Sequence, residues 1–275
     1  MRTLTFGYSP CPNDTFAFHA LAHGLVDAPF RVEPVLLDIE ELNCRAHEGA
    51  FDLTKLSVGA FAAVGDRYRL LRSGAALGMG VGPLMVARAP LALADAVRGR
   101  VAIPGRETTA FRLLRLAAPA LEASGTVVEL RYDRILRAVA DGTVDAGLVI
   151  HESRFTYAEH GLVQVADLGD WWERETGLPV PLAGICARSD LDADTVAAAE
   201  RAIRASVQHA FDHPEATRAY VRAHAQEVSD AVCARHIALY VNRHSLDVGE
   251  DGLRAIGRLV SAGTPAPGAR RGSGA

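Results

Sequence analysis

Lysine is nearly missing from this chain. Of its 29 basic residues 28 are arginine, and Lys55 is the single lysine. Alanine is abundant, a bias that fits coding sequence in which arginine replaces lysine wherever either serves. A lysine kept against that bias marks a position suited to a compact ammonium rather than a planar guanidinium. The alternative is a surface lysine kept by chance. Aromatic residues make up only 6% of the chain, which leaves little for a base-stacking surface. The net charge is −4, and no basic block precedes Arg270-Arg271, so a nucleic-acid partner is not expected. No apolar run reaches the ~18 residues a transmembrane helix needs, so no membrane partner is expected either. The opening Met1–Tyr8 segment is short and alternating, unlike a signal peptide, and the expected compartment is the cytoplasm. The four cysteines form no C-x-x-C pair and read as free thiols in a reducing compartment. Cys233-Ala-Arg-His236 is a weak metal pattern without a second pair, so no metal is expected.

What is present is an alternation of strand-like and helical patterns, the mark of an α/β fold. Strands are expected at Thr3–Tyr8, Arg31–Leu37, Phe51–Lys55, Tyr68–Ser73 and Pro83–Arg88. Helices are expected at Thr15–His23 and Glu40–His47, with another from about Ser57. A second set follows. Val101–Pro104, Val127–Arg131, Val144–Ile150 and Leu162–Asp167 read as strands, with helices from Thr108 and at Asp133–Ala140. Val180–Ala187 is an apolar return strand. Ala197–Phe211, Pro214–Ala223, Asp230–Tyr240 and Glu250–Leu259 then carry apolar residues at helical spacing. The tail Thr264–Ala275 has a disordered composition. Two α/β sets and a helical block predict two lobes about a cleft, with Pro83–Arg88 and Val180–Ala187 as crossings. The first lobe takes residues 1–86 and 186–263, the second 87–185.

Ligands of such sheets bind beyond the carboxyl ends of strands, so the post-strand loops are the candidate site. After the first strand, the prolines of Ser9-Pro10-Cys11-Pro12-Asn13-Asp14 hold Cys11 extended. Asn13 or Asp14 is placed to cap the next helix. Ser9 and Asn13 are candidates for the cleft floor, against the plainer reading of a rigid capped turn. In Thr54-Lys55-Leu56-Ser57, Ser57 is a candidate helix cap beside an anion site that Lys55 would reinforce. Gly105 allows a tight turn in Pro104-Gly105-Arg106-Glu107-Thr108-Thr109-Ala110, and two threonines open a helix whose free amides suit a carboxylate or phosphate. An ordinary threonine cap is the alternative there. Gly78-Met79-Gly80-Val81-Gly82-Pro83 precedes a strand rather than a helix and reads as a tight turn, not a dinucleotide fingerprint. His151 follows the buried run Gly147–Ile150, where a histidine would face the cleft as a candidate general base. The other nine histidines fall mostly on helical segments and read as surface or capping residues.

Together these loops resemble the 1,4-dihydroxy-6-naphthoate synthases of the futalosine route to menaquinone. The resemblance runs through Ser9–Phe16, Asp52–Ser57, Ala76–Leu84, Pro104–Ala110 and Ile150–Glu152, and covers roughly residues 3–240. It implies a fold similar to type II periplasmic binding proteins. It also implies cleavage of cyclic dehypoxanthine futalosine, a small-molecule carboxylate, to 1,4-dihydroxy-6-naphthoate and dihydroxyacetone, without metal or organic cofactor. His151 would be the base of this carbon–carbon lyase, and Ser57, Thr109 and the Ala110 amide would hold polar groups of the substrate. Lys55, Asn13 and Thr108 are further candidates in that wall. Two rivals remain: a chorismate dehydratase of the same route and fold, and a cytoplasmic solute-binding protein without chemistry.

Overall fold

The structure is a computed structural model that describes residues 1–226 and 229–262. The expected tail Thr264–Ala275 lies outside the described residues. Eleven strands are present among the described residues: β1 (Arg2–Tyr8), β2 (Phe30–Leu36), β3 (Leu53–Ser57), β4 (Tyr68–Leu70), β5 (Ala76–Gly78), β6 (Leu84–Ala87), β7 (Arg100–Ile103), β8 (Thr126–Glu129), β9 (Ala146–Val149), β10 (Val163–Asp167) and β11 (Val180–Arg188). They form two sheets, β2-β1-β3-β11-β4 with β5 also on β11, and β10-β6-β9-β7-β8. In each, a parallel core is flanked by antiparallel strands. β1 runs parallel to β2 and β3 while β11 returns against β3, and β7 runs parallel to β8 and β9 while β6 returns against β9.

β6 lies wholly in the second sheet and β11 wholly in the first. The chain therefore changes sheet before β6 and before β11, not within the strands expected as crossings. Before β11 comes a helix the sequence reading passed over, Leu168–Thr176. Asp167 caps it through the Gly169 and Asp170 amides, Gly177 ends it at φ +65°, and Trp172 is buried with its indole N–H donating to Pro179 O at 3.0 Å. Its first turn explains a glycine of the Gly78–Pro83 run. A Cβ on Gly82 would come within 2.2 Å of the Gly169 backbone, so the two segments touch through their main chains.

Helices Ala193–Asp212, Pro214–His224 and Asp230–Tyr240 pack on the first helix, Pro12–Ala22, over the face of the first sheet. Ser206 joins two of them, donating to Ala17 O and accepting from the Leu21 amide. Leu4, Phe6, Tyr8 and Phe18 lie in the core between these helices and the sheet. The last helix, Gly249–Ser261, is tied to helix Thr109–Ala117 by Arg112, whose guanidinium donates to Leu259 O, Val260 O and Ala262 O.

Two expected caps are corrected. The first helix starts at Pro12, not Thr15, and its N-cap is Cys11, so Asn13 and Asp14 lie inside its first turn. Proline at the first helical position is pre-set for the helix and gives up a donor that has no partner there anyway. Ser57 makes no side-chain cap. β3 runs through Ser57 rather than ending at Lys55, and the Ser57 hydroxyl is engaged by Asn43.

Candidate active site

Strand alternation decides what the two sheets show each other. Lys55 and Ser57 stand two residues apart in β3 and share a face, while Leu56 points into the opposite core. Facing them are the start of helix Thr109–Ala117 and the segment after β9. The resulting pocket holds about 560 Å³ with its mouth included. Of the residues expected to line it, Asn13, Lys55, Ser57, Thr108, Thr109, Ala110 and His151 do so. Ser9 does not line the wall. It is buried behind it, donating from its amide and hydroxyl to Asp14 Oδ2 at 3.0 and 2.7 Å.

Asp14 anchors this side. Its carboxylate also accepts from Asn13 Nδ2 at 2.8 Å and from Lys55 Nζ at 2.6 Å. The Lys55–Asp14 ion pair is almost fully buried, both side chains being 4% exposed. The ammonium thus has a partner inside the protein, where the sequence reading had left it free for a substrate anion. Asn13 passes order onward. With its NH2 turned to Asp14, its Oδ1 accepts from His236 Nε2 at 2.9 Å. His236 therefore carries its proton on Nε2, and Nδ1 is a lone pair. That nitrogen lies 3.8 Å from Glu152 Oε2, and Glu152 Oε1 accepts from Tyr132 at 3.2 Å.

His151 stands opposite. Its φ is +55°, the positive value of a non-glycine residue among the described ones. Such a backbone costs about 1–3 kcal/mol and persists only where the surroundings hold it. Here Tyr132 packs edge-on at 4.8 Å, His236 lies nearly parallel at 6.1 Å, and Nδ1 is 3.4 Å from Cys11 Sγ. His151 Nε2 is enclosed and has no hydrogen-bond partner among the described residues. Burial, and then the Lys55 charge, lower its pKa to about 3. Burial, with His151 and Lys55 adding to it, also holds His236 well below the usual imidazole range. Both rings are neutral near pH 7. Burial and the Glu152 charge push the Cys11 thiol up, so it stays protonated.

The opposite wall is polar. Thr108 caps its helix through the Phe111 amide, and the first-turn N–H groups of Thr109 and Ala110 point outward by helix geometry. Thr109 Oγ1 is already used, donating to Leu182 O at 2.6 Å and accepting from the Gly59 amide at 3.0 Å. Ser57 Oγ accepts from Asn43 Nδ2 at 3.0 Å and keeps its own proton to donate. A neutral base thus faces a row of donors across an enclosed space, an arrangement able to move a proton on an anionic ligand.

Sequence reasoning missed Asp14 as the anchor, gave Glu152 and His236 no role in the site, and passed over Asn43 and Tyr132. His236 is 1% exposed, against the expectation of a surface or capping role. A signal existed: Val232, Cys233, His236 and Tyr240 make one buried helical stripe. Cys233 lines a separate groove with Phe16 and Phe211, whereas His236 lines the pocket. A different trio could hold an ion, since Cys11, His151 and Glu152 each place a ligand atom within 4.8 Å of the others.

A family model for menaquinone biosynthesis matches residues 4–264. A Thermus thermophilus protein named 1,4-dihydroxy-6-naphtoate synthase is 58% identical over 262 residues, covering 95% of this chain and 94% of that protein. A Streptomyces coelicolor protein of the same name is 48% identical over 263 residues, covering 94% and 92%. Among solved structures, a Candida albicans protein with the generic periplasmic binding protein fold matches at a TM-score of 0.66 and 14% identity, over 94% of this chain and 89% of that one, which shows the shared fold. The chain has that two-sheet fold and belongs to the menaquinone-biosynthesis family that includes the 1,4-dihydroxy-6-naphthoate synthases.

Proposed function

We propose that this enzyme cleaves cyclic dehypoxanthine futalosine to 1,4-dihydroxy-6-naphthoate and dihydroxyacetone, as a carbon–carbon lyase with His151 as general base. The observation that carries the base assignment is the neutral His151 ring, whose Nε2 has no hydrogen-bond partner among the described residues, in the pocket it shares with Ser57, Thr109 and Ala110. The substrate's carboxylate sits against the amides of helix Thr109–Ala117, with Ser57 and Thr108 beside it. His151 removes a proton, the carbon–carbon bond breaks, and aromatisation of the new ring drives the step. The imidazolium formed is disfavoured by burial and by Lys55, so His151 returns the proton readily to the leaving fragment. Asp14, Asn13 and Lys55 hold the facing wall. Each sheet is the core of one lobe, with β6 in the second and β11 in the first, and the two lobes close on the substrate and exclude water. The reaction takes place in the cytoplasm; no described helix is long and apolar enough to cross a membrane.

Mass-spectrometric product analysis tests this. Wild-type protein given the cyclic futalosine derivative yields dihydroxynaphthoate, and given chorismate yields nothing. Turnover of chorismate instead would make it the dehydratase, and binding without turnover a solute-binding protein. The variant His151→Ala keeps substrate affinity and loses at least about 100-fold in kcat, the usual scale of acid–base catalysis. Full product formation by a folded His151→Ala enzyme would remove the base assignment.

A further inference from the structure

We propose that Cys11, His151 and Glu152 form a binding site for a divalent transition ion of the zinc type, which switches the enzyme off by occupying its histidine. The second clause rests on the base reading above; the site itself does not.

Ligand spacing supports it first. Zinc–sulfur bonds of about 2.3 Å and zinc–nitrogen bonds of about 2.0–2.1 Å at a tetrahedral angle set sulfur and nitrogen roughly 3.5 Å apart. Cys11 Sγ and His151 Nδ1 are 3.4 Å apart, and a Glu152 oxygen completes a trio within 4.8 Å. His236 borders the trio, its Nδ1 3.8 Å from Glu152 Oε2, but lies outside the group whose ligand atoms are all within 4.8 Å, so the fourth position of a tetrahedral ion is left to water or another ligand.

The donor chemistry selects the ion. One thiolate, one imidazole and one carboxylate suit zinc or cobalt and not magnesium or calcium, which take oxygen. A surrounding contact is of the kind that orients metal ligands. Tyr132 donates to Glu152 Oε1 at 3.2 Å and so orients the carboxylate. Binding breaks the Cys11 S–H bond as the sulfur–metal bond forms, and the proton passes to buffer; nothing is oxidised or reduced. The bound ion takes the His151 ring out of proton transfer and blocks the pocket floor.

Cobalt titration tests the site by its spectrum, in the background Cys44→Ser because Cys44 is the exposed cysteine. One equivalent of Co²⁺ produces a near-ultraviolet thiolate-to-cobalt band and intense tetrahedral visible absorption, and excess Zn²⁺ bleaches both. Cys11→Ser removes the thiolate band. Glu152→Gln and His151→Gln, which keep the thiol, weaken Co²⁺ binding at least about tenfold. Absence of the band at saturating Co²⁺, or a band that survives in Cys11→Ser, overturns the site. So does Co²⁺ affinity unchanged in both glutamine variants. Activity is read separately: Zn²⁺ abolishes turnover at one equivalent and EDTA restores it. Full turnover by spectroscopically loaded enzyme would overturn His151 as the base and leave the metal site standing.

Discussion

At the scale of single residues, the rarity of lysine proved informative, though the role it suggested was incomplete. Lys55 lines the pocket, but its ammonium sits 2.6 Å from Asp14 with both groups buried. Removing one member of a buried ion pair strands the other and costs about 3–5 kcal/mol. Lys55→Met is expected to lose that much in urea unfolding, and adding Asp14→Asn to recover a good part of it. Equal losses in the single and double variants would show that the pair is not what holds this wall. Arginine is a poor replacement because its planar fork overfills a site shaped for a point charge. Lys55 was legible because composition singled it out. Asp14 and His236 were not, because the Asn13–His236 bond joins positions 223 residues apart and leaves no local pattern.

At the scale of elements, local chemistry predicted the strand–turn–helix units well and their ends less well. The threonine loop shows both sides. Thr108 caps its helix as expected from sequence, and Gly105 sits at φ +153°. The reason for glycine there is a distant neighbour: a Cβ would come within 2.1 Å of Glu40, whose carboxylate accepts from the Glu107 amide. Gly105→Ala pushes Glu40 away and tilts the amides meant for the substrate. The expected result is a KM raised about tenfold and about 1–3 kcal/mol of lost stability, read by steady-state kinetics and calorimetry; an unchanged KM would separate this loop from substrate binding. Arg112 acts between elements. Its partly buried guanidinium, whose pKa burial lowers, clamps the last carbonyls of helix Gly249–Ser261. Arg112→Met is expected to cost about 2–3 kcal/mol in urea unfolding, on the scale of charged hydrogen bonds. Helix Leu168–Thr176 went unread although Leu168, Trp171 and Trp172 stand at helical spacing and Asp167 and Gly177 are ordinary start and stop signals, because its apolar stripe is only one turn long.

At the scale of the molecule, two neutral histidines at the pocket, His236 buried and His151 partly buried, make stability depend on pH. Both have lowered pKa values in the fold, His151 to about 3 against an ordinary 6.5. Below pH 6.5 the unfolded chain takes up protons that the folded chain refuses, so stability is full above that pH and falls with acid. Each ring contributes about 1.4 kcal/mol per pH unit on the way down. The melting temperature is therefore expected to drop steeply between about pH 6.5 and 4.5, and His236→Gln to flatten the slope. A slope unchanged by that variant would mean that His236 titrates normally in the fold. Amino-acid order alone determined the alternation of strands and helices, the extended Cys11 before Pro12, and the placing of His151 after a buried strand, since each follows from propensity and spacing along a few residues. Only the tertiary structure decided that Lys55 is neutralised by Asp14, that Ser9 stands behind the wall, and that His236 meets Glu152 and His151. Those contacts form when two sheets and a late helix pack together, and burial then sets the charge of every group between them.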